Sequence, residues 1–359
     1  MFLLIKILEM TKRAAIILAG GKAKRFQTTK ERWQDKALAE LDGKPLMIHA
    51  IEHVQDIVEE IIVVVNENES RIFQYHNVLE KYHIQKAKIV TDLKIKNLSG
   101  PLIAILTGLK FATSDSCITV PCDVPMLNGK VAEYLFSEVN DSSVAVPMWP
   151  NGRLETLLLV LDRKKTLDIA NVLCQLDRSH PDDIIRGSLK TLFVSPLGKI
   201  KALDPNLCSF VNINCQEDLC RLQPRHGKGQ FVKNLRLNLG VVTANKIIDI
   251  LAASSKRDNT DFLEASKIFS GCSVDFENEG QVFWAAVNRE YEAKSLLSLF
   301  ERCGKPELKT DIKDAFLKSA HNYGLEAKIY EKNCCHLLAE RARADKSWIE
   351  LQTEKIGFK

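Results

Sequence analysis

The sequence predicts an α/β fold, a mostly parallel sheet with helices on both faces, followed by an all-α domain. Three observations carry this. Short β-branched apolar runs alternate with segments of helical spacing as far as residue 222. Ten of the eleven prolines lie at or before Pro224. Beyond a linker that follows it, the apolar spacing is helical.

Buried strands are read at Ala14–Leu18, Ile61–Val65, Ala87–Val90, Cys117–Val120 and Ser143–Val146, each a short apolar run bounded by polar or turn-forming residues. Helices lie between them at Leu46–Glu59, Ile72–Tyr82, Leu102–Ala112 and Val131–Val139. Further strands are expected at Glu155–Leu161, Leu189–Val194 and Ser209–Asn212, then a short helix at Gln216–Leu222. The Pro, Gly and basic residues from Pro224 to Gly229 mark a linker, taken as residues 225–240. Helices then follow at Ala244–Ala253, Phe262–Phe269, Val282–Cys303, Leu308–Ala320 and Leu325–Lys355. The domains are therefore read as an extension at 1–10, an α/β domain at 11–224 and a helical domain at 241–359.

A chain of 359 residues, 45% hydrophobic, can bury two such cores. Its 50 Lys and Arg against 46 Asp and Glu leave no basic field pointing to nucleic acid. The apolar opening, Met1–Leu8, is too short for a signal sequence or a membrane span, and Met10 is a second candidate start. Ten cysteines without a C-x-x-C pair point to reduced thiols in a cytoplasm, and no membrane association is expected.

The first strand runs into Leu18-Ala19-Gly20-Gly21-Lys22-Ala23-Lys24-Arg25. Paired glycines let backbone N–H groups approach phosphate oxygens, and the three basic residues supply charge. Taken alone, such a pair is more often a plain turn. The spacing fits neither the dinucleotide fingerprint nor the P-loop. Downstream, Asp35-Lys36-Ala37-Leu38 precedes Leu41-Asp42-Gly43-Lys44-Pro45-Leu46, where Asp42-Gly43 forms a turn and Pro45 opens a helix. Pro121-Cys122-Asp123-Val124-Pro125 closes a buried strand, the place where open α/β sheets bind ligands. Asp123 there either turns the chain or holds Mg²⁺, which prefers one or two carboxylates with phosphate oxygens and water. Asn212 and Asn214, two residues apart on an extended segment, share one side of it.

Together these segments resemble the molybdenum cofactor guanylyltransferases, MobA-like nucleotidyltransferases marked by an L-A-G-G-x-x-x-R loop, D-K-x-L…G-K-P-L, C-D-x-P and V-N-[IV]-N. The resemblance covers about residues 11–223. It implies a Rossmann-like sheet of the nucleotide-diphospho-sugar transferase type. It implies that Leu18, Ala19, Gly20, Gly21, Lys22, Arg25 and Lys36 bind the nucleotide, with Asn66, Asp92, Gly100, Pro101 and Leu102 around the nucleoside. Arg25, Lys36 and Asp123 would be catalytic, Asp123 would carry Mg²⁺ or Mn²⁺, and Asn212 and Asn214 would face the acceptor. Two departures stand out. Phe26-Gln27 replace the family's Met-Gly, with a longer stretch to Lys36, and Gly152-Arg153-Leu154-Glu155-Thr156 lacks the usual His or Gln before Pro.

The expected activity is transfer of GMP from GTP to molybdopterin. Other readings are CTP with the same pterin, GTP with a cobinamide phosphate or phospholactate, or a non-catalytic nucleotide-binding adaptor. The helical region carries no chemical motif, and His321, His336 and Cys334-Cys335 fit no metal spacing. It is expected to dock a molybdoenzyme, another cofactor-biosynthesis protein or a second subunit.

Overall fold

The computed structural model describes residues 12–21, 26, 35–96, 98–215, 218 and 231–357. The first ten residues, Lys22, Lys24, Arg25 and, apart from Asp218, the helix expected at Gln216–Leu222 lie outside the described residues.

Ten strands are described: β1 Arg13–Leu18, β2 Glu40–Leu41, β3 Lys44–Pro45, β4 Glu60–Val65, β5 Ala87–Thr91, β6 Ser116–Pro121, β7 Val144–Pro147, β8 Val160–Asp162, β9 Lys190–Val194 and β10 Leu235–Asn238. Eight form one sheet in the order β10-β9-β7-β8-β6-β1-β4-β5, and β2 and β3 make a separate hairpin. β1 pairs parallel with both β4 and β6, and β4 with β5, while β8 and β10 run antiparallel to their neighbours. The helices of this half are α1 Leu46–Glu52, α2 Glu69–Lys81, α3 Pro101–Phe111, α4 Gly129–Val139, α5 Arg163–Gln175, α6 Asp182–Gly187 and the short α7 Lys201–Leu203.

Strand residues alternate between two cores, as the period of two requires. Ala15, Ile17, Val63 and Val120 face α1, α2 and α4 on one side. Ala14, Ile16, Ile62 and Val64 face α3 and α5 on the other. Gly108 of α3 sits tightly on the sheet, since a Cβ there would fall 2.2 Å from Ile16 Cγ2.

Five further helices are described after β10: α8 Ala244–Asp258, α9 Phe262–Asn278, α10 Val282–Cys303, α11 Leu308–Lys332 and α12 His336–Gly357. Their apolar faces, including Ile250, Phe269, Phe276, Trp284 and Phe316, belong to the same continuous core as α3, α5 and one sheet face. Polar bonds seal the join. Arg186 forks onto Glu326 with contacts of 2.8 and 2.7 Å. Arg178 reaches Glu290 at 2.8 Å and also bonds Tyr323, and Trp284 Nε1 donates to Gly187 O at 2.8 Å.

Several elements differ from expectation. Leu235–Asn238, inside the stretch taken as a linker, pairs antiparallel with β9. Ser209–Asn212 is not a strand: Cys208–Phe210 makes a 3-10 turn after a left-handed Leu207, and Ser209 N bonds Asp204 Oδ2. Of Glu155–Leu161 only the end pairs as β8, because Thr119 Oγ1 donates to Leu157 O and accepts from Leu159 N, substituting for the ladder. The helix expected over 46–59 stops at Glu52, with a 3-10 turn at Gln55–Ile57. α5 starts where β8 ends, with Asp162 capping Lys165 N at 3.1 Å. α11 continues to Lys332, and a left-handed Cys334 separates it from α12.

Candidate active site

The site grows from the C-terminal ends of the three central parallel strands. Leu18 lies beside Val64 and Pro121 in register, so the residues after β1, β4 and β6 emerge together. Cys122 N donates to Leu18 O at 3.3 Å and Ala19 N to Val64 O at 3.0 Å, which locks the glycine turn between its neighbours. A Cβ at Gly20 would fall 2.5 Å from Asn66 Oδ1. Glycine there leaves room for the Asn66 amide against the turn.

Lys36 arrives from another direction. Asp35 caps the 3-10 turn Lys36–Leu38, accepting from Ala37 N at 3.0 Å, and the Asp42-Gly43 turn, both residues left-handed, folds β2 onto β3. Lys36 Nζ then meets Asp123 Oδ2 at 2.7 Å, both side chains partly buried. The cation and carboxylate singled out from separate motifs, 87 residues apart, are thus in contact.

Beneath them lies a buried support that sequence reasoning missed. Arg71, on the first turn of α2, forks onto Asp35 with bonds of 2.5 and 2.8 Å and donates to Ala19 O at 3.0 Å. Tyr75 OH, one helical turn on, donates to Asp35 Oδ2 at 3.0 Å. Burial opposes the Arg71 charge, but its bonds to Asp35 outweigh that and raise its pKa. Burial and the Asp35 charge raise that of Tyr75, which therefore stays a neutral donor. The only sequence signal was polar residues on the buried face of an amphipathic helix.

Asn212 and Asn214 flank Ile213, whose N–H donates to Asp123 O at 2.9 Å and whose side chain is fully buried. Ile213 shares a small apolar cluster with Phe26, Leu41 and Leu46. Phe26, the departure after the loop arginine, therefore packs its side chain against the Lys36 hairpin and the asparagine segment. Asp218, just beyond the asparagine pair, accepts from Asn214 N at 2.6 Å and Cys215 N at 3.0 Å. These bonds, with Lys36 nearby, hold its carboxyl below the usual range. Cys122 is buried, which pushes its thiol up to about 12 and leaves it inert beside Asp123.

On the far side of the turn, Asp92 N bonds Val65 O at 2.9 Å, while its buried Oδ1 has no partner. Burial lifts the Asp92 carboxyl to about 6. Gly100 adopts φ +133°, and Pro101 opens α3. Leu102 turns its side chain into the core and its N–H to Ser179 O at 3.3 Å, so it offers no side chain to a ligand. His321, His336 and Cys334 are exposed and Cys335 is buried, and among the described residues no group of three or more His, Cys, Asp or Glu gathers into a metal cluster. No helix among the described residues is long and apolar enough to cross a membrane.

This arrangement, a glycine turn, a lysine and a carboxylate meeting at the end of a mostly parallel sheet, suits a nucleoside triphosphate. Residues 15–189 match the MobA-like NTP transferase domain family, and this part of the chain is a nucleotidyltransferase domain of that kind. A probable molybdenum cofactor guanylyltransferase from Methanosarcina acetivorans is 29% identical over 208 residues, 58% of this chain and 88% of that protein. One from Pyrococcus horikoshii is 28% identical over 213 residues, 58% of this chain and 97% of that protein. The solved molybdopterin-guanine dinucleotide biosynthesis protein A of Archaeoglobus fulgidus superposes with a TM-score of 0.46 at 21% identity, covering 59% of this chain and 96% of that one.

Proposed function

We propose that the protein transfers GMP from GTP to the terminal phosphate of molybdopterin, releasing pyrophosphate. The observation that carries this is the Lys36–Asp123 contact beside the glycine turn. An acceptor phosphate oxygen attacks the α-phosphorus in line. The bond from that phosphorus to the oxygen bridging to the β-phosphate breaks, and the electron pair leaves with pyrophosphate. Because the acceptor is already an anion, no strong base is required, and positioning with charge neutralisation supplies the rate.

Asp123 fits a Mg²⁺ ligand: it is a partly exposed carboxylate at a strand end, already holding a cation, and Mg²⁺ takes its remaining ligands from phosphates and water. When bound, the metal neutralises developing charge on the phosphates. Mn²⁺ would serve in the same place. Lys36 neutralises Asp123 in the empty site and, with Mg²⁺ on that carboxylate, would be free to offset the triphosphate charge, as Lys22 and Arg25 would. Asn66 and Asp92 border the nucleoside side, where the unpartnered Oδ1 of Asp92 can accept a donor from the base. The amides of Asn212 and Asn214 face the acceptor. The names of the relatives favour GTP and the pterin over CTP or another phosphorylated acceptor. Pyrophosphate release measured with each of the four nucleoside triphosphates, Mg²⁺ and molybdopterin tests this reading. GTP should give the fastest release, and equal or greater release with CTP would reassign the base.

A further inference from the structure

The nucleoside-side loop between β5 and α3 is held by groups outside the sheet. Lys96, in this loop, is left-handed at φ +50°, a conformation that an L residue keeps only when its surroundings impose it. Its Nζ donates to Gln175 O, at the C-terminal end of α5, at 2.7 Å. It also meets Asp258, the last residue of α8, at 3.1 Å. It lies 3.7 Å from Asp177 as well, so the cation sits at the C-terminal ends of two helices, where it complements both dipoles, with one carbonyl and two carboxylates around it. The end of the same loop rests on Ser179, since a Cβ at Gly100 would fall 3.2 Å from Ser179 O. Ser179 follows Arg178, which the bundle grips through Glu290, Tyr323 and Asp345.

A second hold lies on the acceptor side. The hairpin from Trp149 to Glu155 stacks Trp149 edge-on against Phe210, with ring centroids 5.3 Å apart, and Phe210 leads directly into the asparagine segment. At its tip Gly152, φ +73°, accepts from Leu337 N at 3.3 Å. A Cβ there would fall 2.5 Å from His336 N and 2.7 Å from Cys334 O. The turn joining α11 to α12 is therefore seated on the hairpin backbone.

We propose that the helical bundle is a positioning element of the transferase site, fixing the β5–α3 loop for the nucleoside and the Trp149 hairpin for the acceptor. The inference rests on the reading of these loops as substrate-facing. It distinguishes the bundle from a mere docking platform, because the two holds act on different substrates and are separable.

Full-length Lys96→Met keeps the side-chain length and removes the cation, and Asp258→Asn, which removes the bundle's contact alone, should reproduce its effect on the GTP KM. Because a partly exposed ion pair is worth little to global stability, the unfolding midpoint should move by no more than about 2 °C. The KM for GTP should rise about fivefold, with kcat and the KM for molybdopterin nearly unchanged. Gly152→Ala should do the reverse, raising the KM for molybdopterin alone. If that variant does not fold, Leu337→Pro removes the donor at a first-turn position where helices tolerate proline. Amide hydrogen exchange provides a readout independent of turnover: Lys96→Met should accelerate exchange across 92–102 while β1 stays protected. If the wild type turns over GTP but Lys96→Met changes neither KM nor exchange, or changes both KM values equally, the positioning role is overturned. If the wild type does not turn over GTP, the transferase reading fails, and the exchange result alone decides whether the bundle holds the loop.

Discussion

Lys36 and Asp123 meet at 2.7 Å, and each loses its partner if the other is removed. Asp123→Ala should abolish transfer, at least a thousandfold in kcat by the usual scale for lost charge stabilisation, while circular dichroism stays native. Near-normal turnover of that variant with Mg²⁺ would remove the metal assignment. Arg71→Lys tests the support below: lysine keeps the charge but cannot fork onto Asp35 and reach Ala19 O together. Its KM for GTP should rise about tenfold, a loss of about 1.4 kcal/mol in binding. An unchanged KM would show that the glycine turn holds without it. Asp92 makes a pH-dependent prediction. Its folded carboxyl titrates near 6 against 3.8 for the free group. The Asp92 contribution to stability is therefore fully present below pH 3.8 and is lost as pH rises through about 6. Asp92→Asn should be more stable than wild type by about 1 kcal/mol at pH 8, a value discounted for partial solvation, with no gain at pH 4. Denaturant melts at the two pH values check this. Lys36 and Asp123 were legible in the sequence because each sits in a short stretch of unusual composition, Asp35-Lys36 before a Gly turn and Asp123 between prolines. Arg71, Tyr75 and Phe26 were not, because their roles depend on partners that come close only in the folded chain.

Among the elements, the strands that were legible are those whose β-branched residues are buried on both faces, β1, β4 and β6 above all. Ser209–Asn212 has a similar run but ends in a turn, because its N–H groups find Asp204 and its neighbours rather than a strand edge. α5 was missed because no loop precedes it, the last residue of β8 being its cap. The join between α6 and α11 could not be read at all, since a buried Arg186–Glu326 pair joins residues 140 positions apart. Removing Glu326 takes away the bidentate partner of the buried Arg186 and leaves it only Asp183 and Asp345, so Glu326→Ala should cost about 3 kcal/mol in urea unfolding. A loss below about 0.5 kcal/mol, the level of a surface pair, would mean that the fork is not held in solution.

At the scale of the whole molecule, the change in proline content marked where the helical region begins, but not that it shares a core with the sheet. Ending the chain after Gly240 would strip α8 to α12 from α3, α5 and α6 and expose a large apolar face. The shortened chain should bind hydrophobic dyes and aggregate. A shortened chain that stays monomeric with native circular dichroism would show that the bundle is dispensable for folding. The central claim is that Asp123 and Lys36 form a working GMP-transfer site. Mass analysis of molybdopterin after incubation with GTP, Mg²⁺ and either wild-type protein or Asp123→Asn tests it most directly. The wild type should yield a product heavier by one GMP unit and Asp123→Asn should yield none; equal product from both, or none from wild type that binds GTP, would contradict the account.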